Sequence, residues 1–578
     1  MRVLGRRVYW RWYGEVLLEE GIVLRMSGDA AKWLRPGDRV RLRTEFQKPL
    51  LDFDEYALEG AFPLWPPFSR ELVHVRESPL GGEAYRYRLR VREATYEGDF
   101  EAIAELEQFH YASEKEVVAL WVCTRCHKTL LANAKPVCDC GGEARLKEIR
   151  GSTPASRFLV LELLERLPFE PKILGYLRLD PPIPRMHRKT PQGVERDIRE
   201  RIFPKDWFHP TYEGGGDWEE ALDRVHTAAA RIARVVVHPD YRSEGFGKLL
   251  VEMALAWAKE RGAPEGRREK HLVYTIAQMA RYHPFFEKVG FRYLFETASG
   301  RPVLFYPLTE EARAYLERFL REDPYARAHG GRLFRPRFGR VAGLKGPISL
   351  QGVHKAYRSH LDLKGLSGEV QEALAAFGVK ARVVERAVLR GAALEIPPGA
   401  LVVLAGASGA GKTTLLRLLL GEPPDLGRVV LPPGRRVAYI PGEREVALGE
   451  GAVLEAVYRK LGDVGAAIEV LNRVGLSDAV LYRARPLELS TGQRERFRLA
   501  LLLAERPDLL LIDEFAAHLD VPTARRVALG LGKLCREAGI TLVAATHRPE
   551  VIAALDPDLL VFVGYGGLTT VPRRGPRT

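Results

Sequence analysis

Two glycine-rich turns, each lying between an apolar β-type run and an apolar helical run, are the first features of the sequence that could do chemistry. One lies in RVVVHPDYRSEGFGKLL, residues 234–250, and the other in GASGAGKTT, residues 406–414. Glycine lets backbone N–H groups approach phosphate oxygens, and a helix start adds unpaired donors and a positive dipole end. Both turns therefore predict sites for phosphate groups.

The second turn has the pattern G-x-x-x-x-G-K-T, which predicts an ATP site. Lys412 would reach the β and γ phosphate oxygens, and Thr413 would ligate Mg²⁺. The run RPDLLLIDE predicts a buried strand followed by Asp513, a partner of the magnesium site, and Glu514, a general base for water. The loop residues predicted to bind ATP are Gly406, Ser408, Gly409, Gly411, Lys412, Thr413 and Thr414.

Four of the chain's five cysteines lie close together in CTRCHKTLLANAKPVCDCGG, residues 123–142. Paired thiolates at short spacing suit tetrahedral Zn²⁺, and so few cysteines in a long chain do not make a disulfide scaffold. We predict a structural zinc ribbon over 120–145. The C-x-C spacing of the second pair departs from the usual C-x-x-C, which leaves His127 as an alternative ligand. The predicted ligands are Cys123, Cys126, Cys138 and Cys140.

The first turn, together with the strand before it, resembles motif A of the GNAT acyltransferases, and YHPFFEKVGFRYLFE resembles that family's closing helix and strand. The resemblance implies that the chain binds acetyl-CoA or another acyl-CoA. Val235 and Val237 would then line the pantetheine arm. The residues implied to cradle the pyrophosphate are Arg242, Ser243, Gly245, Phe246, Gly247 and Lys248.

One departure from the GNAT pattern concerns proton transfer. Phe286 stands where the family often has a tyrosine that protonates the leaving thiolate. Tyr282 and His283 are nearby substitutes, and an ordinary packing role for each is the alternative. Acyl transfer follows less directly from this sequence than acyl-CoA binding does, and the sequence names no general base.

Segments around the second turn resemble the ABC-type ATPases. LSTGQRERFRLALLLAERP is similar to their signature, AAHLD to their D-loop, LVAATHRPE to their switch segment and LQGVHKAY to their first strand. In that family the signature contacts ATP held by the opposite subunit, so the resemblance implies a head-to-tail homodimer. The residues it implies are Ser490, Gly492 and Gln493 in the signature, Asp520 in the D-loop, the switch histidine His547 and the adenine-stacking Tyr357.

Two positions depart from the ABC pattern. Gly442 occupies the usual place of a glutamine, and Glu443 is a possible replacement for it. Residues 358–386 form an insertion after the first strand, which we interpret either as a partner-binding element or as a solvated helix.

These motifs require several separate folded elements, and 578 residues predict about three or four domains. We expect a multidomain α/β and α+β chain. The predicted divisions are a small β-rich, barrel-like domain over 1–85, a GNAT acyltransferase-like domain over 86–310 with the zinc-ribbon insertion, a basic linker over 311–345, and an ABC-type P-loop ATPase domain over 346–568.

The charge of the chain suggests a partner. The net charge is +13, which favours a polyanion, although a generic basic surface is the alternative. Arginines alternate with phenylalanines in GGRLFRPRFGR, a pattern that suits phosphates and bases, but a solvated linker explains it equally well. The candidate nucleic-acid residues are Arg332, Arg335, Arg337 and Arg340.

Neither a membrane span nor a signal peptide is expected from the sequence. No apolar run reaches the roughly 18 residues of a span, and MRVLGRRVYWRWYG lacks an uninterrupted apolar segment. We expect a cytoplasmic protein.

The whole pattern resembles ABC-type ATPases fused to a predicted acetyltransferase domain. The first hypothesis is an ATP-driven enzyme that transfers an acyl-type group to DNA or RNA. The second is a clamp of the structural-maintenance or double-strand-repair kind whose GNAT domain only senses acyl-CoA. The third is the ATPase of a transporter, with the GNAT domain as a regulatory passenger.

Overall fold

A computed structural model describes residues 1–44, 48–77, 83–109, 119–208, 226–242, 244–379, 382–442, 448–564 and 566–573. Two predicted residues, Ser243 and Glu443, lie outside these ranges. The chain divides into two compact units. The first comprises residues 1–76 and 84–335, and residues 336–578 make up most of the second.

The first unit begins with short strands that form two small sheets, ordered β1-β2-β3-β5 and β4-β6-β7. Alternating apolar residues of these strands pack into a core of their own, which includes Val16, Leu24 and Leu58. The predicted β-rich character of this region is confirmed. The elements are β1 (Val3–Trp10), β2 (Tyr13–Leu18), β3 (Val23–Met26), α1 (Gly28–Ala31), β4 (Arg41–Arg43), β5 (Leu50–Leu51), β6 (Ala57–Glu59) and β7 (Pro63–Trp65).

The rest of the first unit is built on an eight-stranded sheet. Its strands and the neighbouring small ones are β8 (Ser69–Glu77), β9 (Glu83–Glu93), β10 (Ala119–Cys123), β11 (Thr129–Leu131), β12 (Ala144–Ile149), β13 (Arg157–Leu163), β14 (Ile173–Asp180), β15 (Arg188–Thr190), β16 (Gly193–Glu195), β17 (Ala229–Val237), β18 (Leu272–Ile276), β19 (Arg292–Glu296) and β20 (Pro302–Pro307). The sheet order is β19-β20-β18-β17-β14-β13-β9-β8, and β17 and β18 are parallel.

Helices cover this sheet. They are α2 (Glu97–Glu107), α3 (Phe246–Arg261), α4 (Phe285–Val289), α5 (Glu310–Glu322) and α6 (Pro324–His329). Helix α3 has buried residues at helical spacing, Leu250, Val251, Ala254 and Ala258, and they pack into the same core as strand residues such as Leu177.

Two predicted boundaries need correction. Residues 311–329 do not form a linker, because Leu316, Phe319 and Ala326 of α5 and α6 are buried in a core with strand residues such as Phe305. The division between the two compact units lies at 335/336, within the predicted linker. The predicted boundary at residue 85 is also too late, since β8 already belongs to the large sheet.

The second unit contains a six-stranded sheet with the order β25-β26-β27-β23-β28-β29, and a three-stranded sheet with the order β22-β21-β24. Its strands are β21 (Ile348–Leu361), β22 (Arg382–Ile396), β23 (Leu401–Ala405), β24 (Leu426–Val430), β25 (Val437–Ile440), β26 (Leu509–Ile512), β27 (Thr541–Ala545), β28 (Leu559–Gly564) and β29 (Gly567–Pro572). Strands β23, β26 and β27 are fully buried apolar runs, as expected for parallel strands covered on both faces.

Helices surround the six-stranded sheet, and one further helix lies within the insertion. They are α7 (Gly368–Ala376), α8 (Lys412–Leu420), α9 (Val453–Leu461), α10 (Val464–Arg473), α11 (Ala479–Tyr482), α12 (Thr491–Leu503), α13 (Val521–Ala538) and α14 (Pro549–Leu555). The insertion at 358–386 is thus the outer part of the β21–β22 hairpin with α7 at its end, and none of the α7 residues is buried. In the part of the chain that the structure describes, no helix is both long and apolar enough to cross a membrane.

Candidate functional sites

The second glycine-rich turn forms the loop between β23 and α8. Gly406 and Gly411 have positive φ angles of 148° and 111°. A Cβ at Gly406 would collide with the carbonyl oxygen of Val563, and one at Gly411 would collide with Val388. Helix α8 begins with no side-chain cap, so its first N–H groups remain available for an anion.

Side chains that could hold ATP and Mg²⁺ meet at this loop. The Lys412 ammonium donates to the carbonyl oxygens of Gly406 and Ala407 at 2.8 and 2.9 Å. The Thr413 hydroxyl donates to the Asp513 carboxylate at 2.6 Å, which joins the P-loop to the end of β26. A hydroxyl beside a carboxylate is an oxygen-donor set that suits Mg²⁺. The residues present therefore fit a magnesium nucleotide.

The parallel sheet explains this convergence. Loops that follow parallel strands emerge at one edge, and ligands bind outside that edge. The P-loop follows β23, Glu514 follows β26 and His547 follows β27. Glu514 and His547 are exposed, while Asp513 is buried.

The remaining predicted loop residues differ in exposure. Ser408 and Gly409 are exposed, whereas Thr414 is buried on the core side of α8. Tyr357 lies on β21, half-buried, with the Lys355 ammonium 6.0 Å from its ring centroid.

In the first unit, strands β17 and β18 separate at the predicted acyl-CoA site. They pair from Ala229–Leu272 to Ile232–Thr275, whereas β17 continues beside β14 to the pair Val237–Gly175. A register shift at Ala233 marks the point where the β18 partner ends. Residues 233–237 therefore have a backbone edge that β18 does not pair. This edge lies where the GNAT resemblance implies that the pantetheine arm binds.

The first glycine-rich turn also ends in an uncapped helix. Gly245 has a φ of 88° and precedes α3 with no side-chain cap, so the first N–H groups of α3 are available for an anion. A Cβ on Gly247 would lie 3.3 Å from the Phe285 ring. Phe246 is buried, and Lys248 is exposed beside Glu252.

Arg242 contacts protein rather than open space. Its guanidinium donates to the carbonyl oxygens of Val237 and Phe109 at 3.3 and 3.0 Å. The resemblance implies that Arg242 is one of the residues that cradle the pyrophosphate. Its observed contacts tie the turn to the end of β17.

The candidates for proton transfer to a leaving thiolate differ. The Phe286 ring packs against the core, 5.3 Å from the Phe291 centroid. Burial, together with the smaller effect of nearby Lys288, lowers the pKa of His283 to about 4, so this imidazole is neutral at pH 7. Neutral imidazole is a poor acid, which leaves the Tyr282 hydroxyl as the candidate proton donor.

A cavity of about 450 Å³ opens beside the strand separation. It is lined by Arg231 and Arg234 of β17, by Arg185 and by Arg301, and none of the described residues around it is acidic. The sequence analysis missed this cavity, because its lining comes from segments more than 100 residues apart.

Buried carboxylates hold two of these arginines in place. Arg231 donates to Asp180 at 2.7 Å, and Arg234 donates to Glu107 at 3.1 Å. Burial raises the pKa of Glu107 above its usual value, and the positive charge of Arg234 offsets only part of this rise. Among the described residues, Arg185 and Arg301 have no carboxylate within ion-pair distance, and both are exposed.

The four cysteines form one cluster in the small sheet β11-β10-β12. Their sulfur atoms all lie within 4.8 Å of one another, and three pairs are 3.4 to 3.6 Å apart. A tetrahedral ZnS₄ site with Zn–S bonds near 2.3 Å would place sulfurs about 3.8 Å apart, so the cluster could hold Zn²⁺. His127 does not belong to it.

Comparisons with known proteins agree with these two sites. The family described as ABC transporter matches residues 389–517, and the family described as acetyltransferase (GNAT) domain matches residues 213–293. The zinc import ATP-binding protein of Ruegeria pomeroyi is 32% identical over 197 residues, 33% of this chain and 75% of the relative. This chain belongs to the ABC ATP-binding protein family. Its ABC ATPase domain is joined to a GNAT acetyltransferase domain, so both of its matched domains are those of enzymes.

Two further comparisons differ in how much of each chain they cover. The spermidine/putrescine import ATP-binding protein of Methylococcus capsulatus is 34% identical over 225 residues, 36% of this chain, and the match spans 58% of that relative's length. A dimeric structure of a bacterial ABC transporter cassette is 21% identical, with a TM-score of 0.31, and covers 40% of this chain and 100% of that one.

The ABC signature begins a helix in this chain. Ser490 accepts from the Gln493 N–H, and the Gln493 side chain accepts from the Ser490 N–H, which forms a capping box at the start of α12. Asp520 caps α13 with one bond, because its carboxylate accepts from the Thr523 N–H. Ser490 and Asp520 are exposed and Gly492 is half-buried, which leaves the two polar side chains accessible to a partner subunit's nucleotide.

The ABC domain contains two features that sequence patterns alone did not interpret. A Cβ on Gly442 would lie 3.1 Å from the Glu514 carboxyl, so the family's usual glutamine would crowd the general-base candidate. Arg548, beside the switch histidine, donates to the carbonyl oxygens of Ala516 and Leu519, both at 2.6 Å. Arg548 thereby ties the switch segment to the D-loop. In the sequence, the signal that could have identified it is its position next to His547.

The arginine-rich segment, residues 330–340, is only partly available to contact nucleic acid. Its four arginines are exposed, but Phe338 is 1% exposed within the core of the second unit and cannot stack on bases. Arg335 donates to the Ala328 carbonyl oxygen, and Arg337 lies 3.7 Å from Asp463.

Proposed function

We propose that this chain is an ATP-hydrolysing ABC-type ATPase whose GNAT domain transfers an acyl group from acyl-CoA to nucleic acid. The cavity at the β17–β18 separation carries this proposal. Four arginines line it, and since Asp180 and Glu107 pair with only two of them, the remaining positive charge favours an anionic acceptor.

Acyl-CoA would lie along the open edge of β17, with its pyrophosphate at the start of α3. The acceptor amine would attack the thioester carbon, so a C–N bond forms and the C–S bond breaks. The thiolate would take its proton from Tyr282, and the proton that the amine nitrogen loses would pass through solvent and restore the Tyr282 hydroxyl. The cavity arginines would hold a phosphate of the acceptor, since guanidinium matches phosphate with two parallel hydrogen bonds.

The ATPase would work as a head-to-tail homodimer, with two ATP molecules bound between copies. The P-loop and the signature are both exposed on one chain, which supports shared sites. Mg²⁺ would add a positive charge at Thr413 and Asp513. Glu514 would accept the proton of the attacking water. The cysteine cluster would hold a structural Zn²⁺.

A transfer assay tests the acceptor. Purified protein with labelled acetyl-CoA and ATP is offered duplex DNA, total transfer RNA and a protein extract in parallel. We expect label on one nucleic-acid class. Arg234→Ala should raise the KM for that acceptor about tenfold, whereas Arg88→Ala, which removes an exposed pair with Glu165, should not. Label on protein alone, or equal KM values for both variants, would contradict the proposal.

The packing of Phe286 favours a second candidate, a nucleic-acid clamp with a silent GNAT domain. This candidate predicts that acetyl-CoA binds and no label moves. The import ATP-binding relatives favour a third, a transporter ATPase. Stimulation of hydrolysis by nucleic acid, reduced steeply by salt, would favour the first two over the third.

A further inference from the structure

We infer that Arg386, supplied by the inserted β21–β22 hairpin, is a nucleotide-binding residue that contacts the phosphate chain of ATP. This inference rests on the proposed ATP binding by the P-loop. No motif of the ABC pattern used above includes this arginine.

Strand register places Arg386 beside the adenine-binding candidate. Tyr357 of β21 is the direct partner of Arg386 on β22. Directly opposed residues of antiparallel strands have side chains on the same face, about 5 Å apart at Cβ. A nucleotide that stacks on Tyr357 therefore lies next to the Arg386 side chain.

The Arg386 guanidinium also lies on the P-loop itself. Its Nη2 donates to the Gly409 carbonyl oxygen at 2.9 Å, and an ideal Cβ on Gly409 would be 3.5 Å from the same nitrogen. Arg386 thus spans the distance between the adenine side and the phosphate side of the site.

The charge on Arg386 is not neutralised by a neighbour. It is exposed, and no described carboxylate lies within ion-pair distance of it. Arg358, one residue from Tyr357, contrasts with it, because Arg358 pairs with Glu385 at 3.0 Å. Successive residues of a strand face opposite sides, so Arg358 lies on the face away from Tyr357.

These observations define a change on nucleotide binding. Lys412 and Arg386 both donate to P-loop carbonyl oxygens, at Gly406, Ala407 and Gly409. A phosphate oxygen is a stronger acceptor for a cation than a neutral carbonyl. With ATP bound, Arg386 would move from Gly409 to the phosphate chain, beside Lys412.

Nucleotide affinity tests this inference. Fluorescent ATP, ADP and adenosine analogues are titrated into the full chain and into Arg386→Ala, Arg386→Lys and Arg358→Ala, each checked for an unchanged unfolding temperature. We expect Arg386→Ala to weaken ATP and ADP about tenfold and adenosine not at all. Arg386→Lys should be intermediate, and Arg358→Ala should match the original chain.

Two results would overturn the inference. Unchanged ATP affinity in Arg386→Ala would show that the guanidinium does not meet phosphate. An equal loss for ATP and adenosine would show that Arg386 only supports the Tyr357 side of the pocket. If the unmutated chain failed to bind ATP, the proposed function itself would be rejected. That result differs from the two above, because in both of them the unmutated chain binds ATP.

Discussion

The two phosphate sites of this chain share a backbone design and differ in their side chains. Each follows a buried strand and begins a helix after a glycine with positive φ, Gly245 at 88° and Gly411 at 111°, with no side-chain cap. At the second site, Lys412 lies inside the loop and Thr413 joins Asp513. At the first, Arg242 braces the loop from outside.

This difference indicates different ligands. A lysine, a hydroxyl and a buried carboxylate together suit a triphosphate with Mg²⁺, whose charge must be neutralised during hydrolysis. Backbone N–H groups with a braced loop suit a pyrophosphate that is held and not cleaved. Under the proposed function, the same glycine geometry would hold a phosphate that reacts in the second unit and a phosphate that only anchors acyl-CoA in the first.

The largest expected effect is on hydrolysis alone. Glu514→Gln should reduce ATP hydrolysis about a hundredfold or more, because it removes the proton acceptor for water while leaving the P-loop intact. ATP-bound dimer should accumulate, measurable by light scattering. Glu505→Gln, which loses only an exposed pair with Lys460, is the control. A Glu514→Gln variant that stays monomeric with ATP would argue against the head-to-tail dimer.

Removal of Mg²⁺ should separate the two sites. Omission of Mg²⁺ from an otherwise unchanged buffer without a chelator, which leaves Zn²⁺ in the cysteine cluster, should weaken ATP binding about tenfold or more, since Thr413 and Asp513 then lose the cation that they hold against the phosphates. Acetyl-CoA affinity, measured in the same buffer, should not change. An equal loss at both sites would show that the first loop also uses a metal.

A backbone change should affect the first site alone. Gly245→Ala forces a side chain into a left-handed conformation and should weaken acetyl-CoA binding about tenfold. Gly262→Ala, at the other end of α3 with a φ of 62°, is the matched control. It should lower stability, because its Cβ would be 2.9 Å from the Arg268 carbonyl oxygen, without weakening acetyl-CoA binding. Equal acetyl-CoA affinities for the two variants would show that this loop is not part of the acyl-CoA site.

The smallest expected effect concerns pH. The fold lowers the pKa of His283 from 6.5 to about 4, so the unfolded chain binds this proton more strongly. Stability should fall as the pH falls through that interval. Between pH 7 and 5.5 the chain should lose about 1 kcal/mol more than His283→Gln, measured by denaturant unfolding. Equal losses would mean that His283 is not buried as described.

The sequence predicted what local residues determine. Glycines with required φ angles, the cysteine spacing and Thr413 before an apolar helix are visible in short segments. The cavity could not be predicted, because the Arg234–Glu107 pair joins residues 127 apart in the chain. Residues 311–329 have a helical pattern, but their burial depends on strands elsewhere in the fold. Phe338 likewise seemed a stacking residue until its core position was known.

Calorimetric titration of acetyl-CoA and of ATP into one preparation tests the two-site account most directly. We expect each ligand to bind with one equivalent per chain, whichever is added first. Gly245→Ala should weaken only acetyl-CoA, and Lys412→Ala should weaken only ATP. Competition between the ligands for one site, or loss of both in either variant, would contradict the assignment of the two loops.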